Sequence, residues 1–276
     1  MSDLSLPHFP LGQSVPYPNS YSPDQLFPLS RSNNRSGLNL TEPLPFSGVD
    51  IWTAYELSWL ELETKKPRIA LAEFYIPCDS PNLIESKSLK LYLNSLNQAT
   101  FMNETELKSV IQNDLSAAAG AKIRVNLFLP PFKMVQPPQE FAGVNIDDLP
   151  VTIDCFTPEP NFLIADHELI VSETVNSNLL KSNCPATGQP DWASILISYQ
   201  GPKINHAGLL QYIISFRQHQ DFGEHCVETI FMDLLHRCQP EKLTVYARYS
   251  RRGGLDINPF RSNFQSLTQN LRNFRQ

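Results

Sequence analysis

The chain has 276 residues, 41% of them hydrophobic, with 22 Lys and Arg against 28 Asp and Glu and a formal charge of -6. That is apolar material for one large core or two ordinary ones, and the acidic balance excludes sequence-independent binding to nucleic acid or an anionic membrane as its main work. No run is long and apolar enough to span a bilayer, and Met1-Ser2-Asp3-Leu4 opens without the basic and apolar regions of a signal peptide, so a soluble cytoplasmic protein is predicted.

Five widely spaced cysteines (Cys78, Cys155, Cys184, Cys226, Cys238) without a Cys-x-x-Cys argue for a reducing compartment rather than a disulfide framework. Matches to Asn-x-Ser/Thr such as Asn39-Leu40-Thr41 then carry no glycosylation meaning.

In chain order, residues 1–47 are rich in Pro, Ser and Asn but carry Tyr17, Tyr21, Leu26 and Phe27, which predicts an extended arm anchored on the fold. Strand-like sequence follows at 51–62 and 68–77. Leu89, Tyr92 and Ser95 have helical spacing, and Leu107, Val110, Ile111, Leu115 and Ala118 trace the apolar face of a second helix. An alternating strand, Ile123/Val125/Leu127/Leu129, comes next, and then a proline-rich connection from Pro130 to Pro150.

The second half repeats the first at a period of about 120 residues. Ile195, Ile197 and Tyr199 alternate over 193–201; Leu209, Tyr212 and Ser215 match the Leu89 set; Val227, Ile230, Phe231, Leu234 and Leu235 form the second helix face; Asp233-Leu234 matches Asp114-Leu115. Leu243/Val245/Ala247/Tyr249 then alternate as a strand. The order strand, strand, helix, helix, strand, strand predicts α+β modules, antiparallel sheets with helices on one face. The boundaries read as an arm (1–47), a first module (48–131), a linker (132–150) and a second module (151–276).

Three segments carry chemistry. Asn183-Cys184-Pro185-Ala186-Thr187-Gly188-Gln189-Pro190-Asp191-Trp192 sets a thiol in a Pro/Gly-stiffened loop with a carboxylate seven residues on, a layout for a nucleophile with its own acid or base. The bland alternative is a cysteine buried as a small hydrophobe. Lys87 and Lys90 fall on the first turns of a helix after the Pro81-Asn82 turn, where free N–H groups and the dipole can help hold a phosphate; a solvated charged face is the alternative. Arg251-Arg252-Gly253-Gly254 follows a strand and offers forked donors beside a close-approach backbone, or is simply a basic hairpin turn.

Glu224, after the Phe222-Gly223 turn, either caps its helix or accepts two hydrogen bonds from the edge of a guanine-like ring. No metal site is predicted. On one helix Cys226 and Cys238 stand about 18 Å apart, and His225 and His236 about 16 Å apart. No Gly-x-Gly-x-x-Gly follows a strand, so a dinucleotide would be held without a Rossmann motif.

Taken together, Glu85 to Tyr92, the Asn183 to Asp191 loop, Phe216-Arg217 with Phe222-x-Glu224, Val245 to Tyr249 and Arg251 to Pro259 resemble the NADPH-dependent 7-cyano-7-deazaguanine reductases of queuosine biosynthesis (QueF type, long two-module form). The likeness runs nearly end to end, the Tyr17-Pro18 to Pro28 arm included. It implies two tandem tunnelling-fold modules, a homodimer, and reduction of a nitrile on a small deazaguanine to a primary amine with two NADPH, while the acidic charge predicts no direct contact with nucleic acid or membrane. By the same resemblance Cys184 is the nucleophile that forms a thioimide and Asp191 the proton donor. Ile84, Glu85, Ser86, Gly223 and Glu224 line or hold the ring, and Ser86, Lys87, Arg252 and Gly253 contact NADPH.

The chain departs from the family pattern at one place. A histidine is expected before Glu224, and the sequence reads Phe222-Gly223-Glu224-His225. His225 lies about 200° further round a helix than residue 223, and a water in the vacated space is the expected relay. This leaves a second expectation, a ring-binding, thioimide-forming member with impaired turnover. A metal-using pterin or GTP hydrolase of the same fold is the third.

Overall fold

The computed structural model describes residues 16–38, 40, 42–132, 137–267 and 270–276. Residues 1–15 of the arm, Asn39 and Thr41 of the Asn-x-Thr match, and residues 133–136 of the linker lie outside the described residues. The elements in order are β1 Pro28–Ser30, α1 Arg31–Arg35, β2 Ser47–Glu61, β3 Pro67–Pro77, β4 Asn82–Ile84, α2 Ser86–Ser95, β5 Thr100–Phe101, α3 Glu104–Ala119, β6 Arg124–Phe128 and β7 Val144–Asn145. They continue as β8 Ala165–Asn183, β9 Pro190–Ile204, α4 His206–Ser215, α5 Gly223–Cys238, β10 Lys242–Tyr249 and β11 Leu255–Ser262. The class is α+β with mainly antiparallel pairing. Among the described residues no helix is long and apolar enough to cross a membrane.

Contacts divide the chain into two compact units. Of the described residues, the first contains 16–34, 52–132 and 252–255. In it β3 pairs antiparallel with β6, Leu71 opposite Phe128 and Tyr75 opposite Arg124. Leu107, Ile111 and Leu115 of α3 are fully buried, as their i, i+4 spacing predicts, whereas Val110 and Ala118 are half-buried and Ala119 takes the last core position. The arm is tied down by polar contacts. Tyr21 Oη donates to Asp114 at 2.8 Å, the Phe27 N–H donates to Ser88 Oγ at 3.0 Å, and β1 pairs with β4. Tyr17 stays exposed.

Of the described residues, the second unit contains 35–38, 40, 42–51, 137–251, 256–267 and 270–276. Its centre is the long antiparallel hairpin β8–β9, on whose β9 side β10 and then β11 are added. The sequence reading did not locate β8. Most of its first half is exposed, and its apolar Leu169, Ile170 and Val171 are consecutive, so it lacks the apolar alternation that marks a half-buried strand. The same hairpin lengthens β9 beyond the 193–201 expected for it, to Pro190–Ile204. Part of the proline-rich connection is structured: Val144–Asn145 pairs parallel to β8, and Asp147 accepts from Ser177 Oγ and the Asn178 N–H.

The repeat seen in the sequence has a physical counterpart in each unit. Tyr92 Oη donates to Asp114 at 2.6 Å, and Tyr212 Oη donates to Asp233 at 2.5 Å. Ser95 Oγ bonds back to the Tyr92 carbonyl and Ser215 Oγ to that of Tyr212, both at 2.6 Å. Helices α3 and α5 are both 16 residues long.

Candidate active site

Cys184 is the first residue after β8 and opens the turn to β9. Its N–H donates to the Gln189 carbonyl at 2.9 Å and its carbonyl accepts the Gly188 N–H at 3.0 Å; Gly188 has φ +67, a conformation that suits a residue without Cβ. The loop is stiff because its own backbone groups pair inside it. Ser182 lies opposite Asp191 and Asn183 opposite Pro190, so the Cys184–Gln189 bond continues the ladder by one step. Asp191 is therefore the diagonal cross-strand neighbour of Cys184 on the same face.

The base of the loop is clamped to the chain that enters α5. The Asn183 N–H donates to the His219 carbonyl at 2.8 Å, and the Asp221 N–H donates to the Asn183 carbonyl at 3.1 Å. Two residues beyond Asp221, Gly223 and Glu224 begin the helix. Cys184, Asp191, Gly223 and Glu224 thus belong to one end of the second unit. Cys184 and Glu224 are each only 3% exposed, so both the sulfur and the carboxylate are enclosed. Phe222 caps α5 without a side-chain hydrogen bond, and Glu224 follows two positions later, so Glu224 is not its N-cap.

Neighbouring groups set the electrostatics. Burial pushes the Cys226 thiol well above its usual range, which makes it the inert cysteine of this end. Asp221 is also pushed up by burial, but His219 and His225 beside it outweigh that and hold its carboxyl at about 2. His225 Nδ1 pairs with Asp221 Oδ2. The space beside Gly223 is not open for the anticipated water: a Cβ there would stand 2.7 Å from Cε2 and 3.0 Å from Cζ of the Tyr249 ring.

The other expected site residues belong to the first unit. Glu85 is the N-cap of α2, and its carboxylate accepts from the N–H groups of Lys87 at 2.6 Å and Ser88 at 2.7 Å. It thereby occupies N–H groups that the sequence reading left for a phosphate. Burial raises its pKa in spite of those bonds. Ile84 ends β4 and is buried, and Ser86 and Lys87 form the first turn of α2.

Arg252, Gly253 and Gly254 form a tight turn, with φ +60 and +78 at the glycines and the Arg252 N–H bonded to the Leu255 carbonyl at 2.8 Å. This is the hairpin turn of the bland alternative. A Cβ on Gly253 would lie 3.2 Å from Lys90 Nζ, so the glycine lets an ammonium approach the arginine-bearing turn. This donor set fits phosphate groups through cationic side chains rather than through helix N–H groups. Among the described residues no group of three or more His, Cys, Asp or Glu is placed to hold a metal ion, and the five cysteines form no disulfide.

Sequence reasoning missed Ser182 and Tyr249, which face this end of the second unit. Tyr249 was visible only as one step of an alternating strand, and Ser182 lay in the unlocated strand.

The family model "Nitrile reductase, 7-cyano-7-deazaguanine-reductase N-term" matches residues 17–127, and the model "QueF-like protein" matches residues 190–267. A protein of Bordetella avium (strain 197N), named NADPH-dependent 7-cyano-7-deazaguanine reductase, is 56% identical over 274 residues, 99% of this chain and 100% of that one. Proteins of the same name are 53% identical in Bordetella pertussis (95% of this chain, 96% of that one) and in Chromobacterium violaceum (98% and 97%). The crystal structure of the archaeosine synthase QueF-Like in the apo form matches 35% of this chain and 94% of that one at 13% identity and a TM-score of 0.31, too slight a likeness to carry an argument. On the full-length identities, the chain belongs to the family of NADPH-dependent 7-cyano-7-deazaguanine reductases.

Proposed function

We propose that the chain reduces the nitrile of 7-cyano-7-deazaguanine to the aminomethyl product through a covalent thioimide on Cys184. Family membership supplies the class, an NADPH-dependent oxidoreductase acting on a nitrile. The observation that carries the mechanism is the hairpin register that makes Asp191 the diagonal neighbour of Cys184.

The Cys184 sulfur adds to the nitrile carbon, and one C–N π pair moves to nitrogen. Asp191 takes the thiol proton and passes it to that nitrogen, so the adduct forms without net gain or loss of protons. NADPH, when bound, supplies the hydrides, two of which with two protons convert nitrile to amine. The sulfur leaves after the first reduction and regains its proton at the end. Gly223 and Glu224 at the start of α5 are proposed to line and hold the ring, and the same substrate-binding role is proposed for Ile84, Glu85 and Ser86 in the first unit. Ser86, Lys87, Arg252 and Gly253 are proposed to contact the cofactor.

We further read the chain as two tandem tunnelling-fold modules (48–131 and 151–276) in a cytoplasmic homodimer that does not itself bind nucleic acid. The repeated Tyr–Asp–Ser arrangement supports the tandem reading. A single-turnover experiment tests the chemistry. Adding the nitrile should raise the protein mass by one substrate, and Cys184→Ala should abolish both the adduct and NADPH consumption. An adduct that persists in Cys184→Ala would refute the mechanism.

A second reading, adduct formation with impaired turnover, is supported by Gly223, where no side chain is available and Tyr249 fills the space. Adduct without NADPH consumption is its signature.

A further inference from the structure

The sheet face beneath α5 carries two buried hydroxyls that the reaction described so far does not use. Tyr249 of β10 lies opposite Ala193 of β9, Ala193 lies opposite Leu180 of β8, and Ser182 lies opposite Asp191. Side chains alternate along a strand and cross-strand partners share a face, so Ser182, Asp191 and Tyr249 all point to one side. That side is covered by α5, because the Tyr249 ring stands against Gly223. Cys184, one ladder step beyond Asn183, continues the same alternation.

Both hydroxyls are enclosed, Ser182 at 0% and Tyr249 at 5% exposure. Ser182 Oγ, Tyr249 Oη and the Cys226 thiol lie close enough for weak mutual hydrogen bonding to bear on the Cys226 and Tyr249 titrations, yet neither hydroxyl meets a partner at full hydrogen-bond geometry. Buried hydroxyls without a partner are uncommon in folded proteins and call for a ligand or a water. Burial raises the Tyr249 phenol far above its usual range, so near neutrality it is an O–H donor.

We propose that Tyr249 Oη and Ser182 Oγ form a neutral hydrogen-bonding pair that receives the nitrile nitrogen while Cys184 adds to the carbon. This rests on the thioimide reading above. As sulfur adds, negative charge gathers on nitrogen, and two prepositioned donors stabilise it until the proton from Asp191 arrives. Neither hydroxyl changes its own protonation; the transferred proton is the one that left the thiol. A side chain at residue 223 would shift the ring from this position.

The test is the rate of adduct formation without NADPH, measured by rapid-quench mass spectrometry on the full-length protein. Tyr249→Phe keeps the ring against Gly223 and removes only the oxygen. It should slow adduct formation on the order of a hundredfold with substrate affinity and melting temperature little changed. Ser182→Ala should slow it on the order of fivefold to tenfold. Adduct formation within twofold of wild type in Tyr249→Phe overturns the proposal while leaving the thioimide mechanism standing. Absence of any adduct in the wild type overturns both. Should Tyr249→Phe melt far below wild type, Ser182→Ala decides by the same twofold criterion.

Discussion

The two sixteen-residue helices α3 and α5 occupy matching places in their units but begin differently. In the first unit Asn103 caps α3, accepting the Glu106 N–H at 3.0 Å, while the Glu106 carboxylate accepts the Met102 N–H at 2.7 Å. This is a capping box displaced by one residue, in which the cap satisfies a first-turn N–H and the Glu106 carboxylate satisfies that of the residue before the cap. In the second unit Phe222 caps α5 with no side-chain bond, and the next residue is Gly223. The unit that gave up its cap is the one that holds the cysteine loop, clamped to Asn183 through His219 and Asp221. Local stability yields where a site needs open backbone and an uncluttered face.

What the second unit lacks at that helix end it supplies one turn later. Glu228 of α5 is buried and accepts from Arg35 at 2.6 and 2.8 Å and from Arg261 at 2.8 and 2.9 Å; Arg261 also pairs with Asp50 at 2.7 Å. Burial raises its pKa, but Arg261 and Arg35 outweigh that and lower it. Glu228→Ala removes the buried carboxylate that two guanidinium groups share, although Arg261 keeps Asp50, and should cost about 3 kcal/mol, read as a fall in the urea midpoint. A loss under 1 kcal/mol would mean the network does not compensate for the missing cap.

The repeated tyrosines give a finer comparison. Removing the hydroxyl in Tyr212→Phe leaves Asp233 without that donor and should cost about 1.5–3 kcal/mol. Tyr92→Phe should cost less, because Asp114 keeps Tyr21 Oη at 2.8 Å. Equal losses in thermal melts would show that the Tyr21 hydroxyl does not compensate at Asp114.

How far the sequence could reveal this differs between fold and site. Helices α2 to α5 were legible because Leu89, Tyr92, Leu107, Ile111 and their counterparts are buried at helical spacing. Strand β8 was not, because its exposed half is paired through backbone bonds that leave no trace in side-chain hydropathy. β10 is buried almost throughout, so its apparent alternation reflected composition more than two unlike faces. At the site, Cys184 and Asp191 stood out because a thiol and a carboxylate flank a Pro/Gly turn. Tyr249 and Ser182 did not, since their role depends on which residues face each other across three strands. Glu85 was legible as a motif residue, while its N-capping geometry emerged only with the helix start.

Acid sharpens the contrast next. Asp221 has a folded pKa of about 2, below its ordinary 3.8. A depressed carboxylate adds stability that is fully present above about pH 4 and is lost as pH falls towards 2, here about 2 kcal/mol. Asp221→Asn cannot be protonated, so its urea midpoint should lack this component of the decline between pH 5 and 2. Parallel curves for the two proteins would show that Asp221 draws no such stability from His219 and His225.

The smallest effect tests the comparison at its origin. Asn103→Ala removes the side-chain acceptor of the Glu106 N–H, and an N-cap of this kind contributes about 1 kcal/mol. The Glu106 carboxylate still holds the Met102 N–H, so the box is only half dismantled. Phe222→Asn is the reciprocal change, offering α5 the side-chain cap it lacks. If the uncapped start of α5 serves the cysteine loop, Phe222→Asn should raise the melting temperature while slowing adduct formation, whereas Asn103→Ala should lower the melting temperature and leave the adduct rate alone. A Phe222→Asn protein that is more stable and equally fast would show that α5 lost its cap for reasons unconnected with the chemistry.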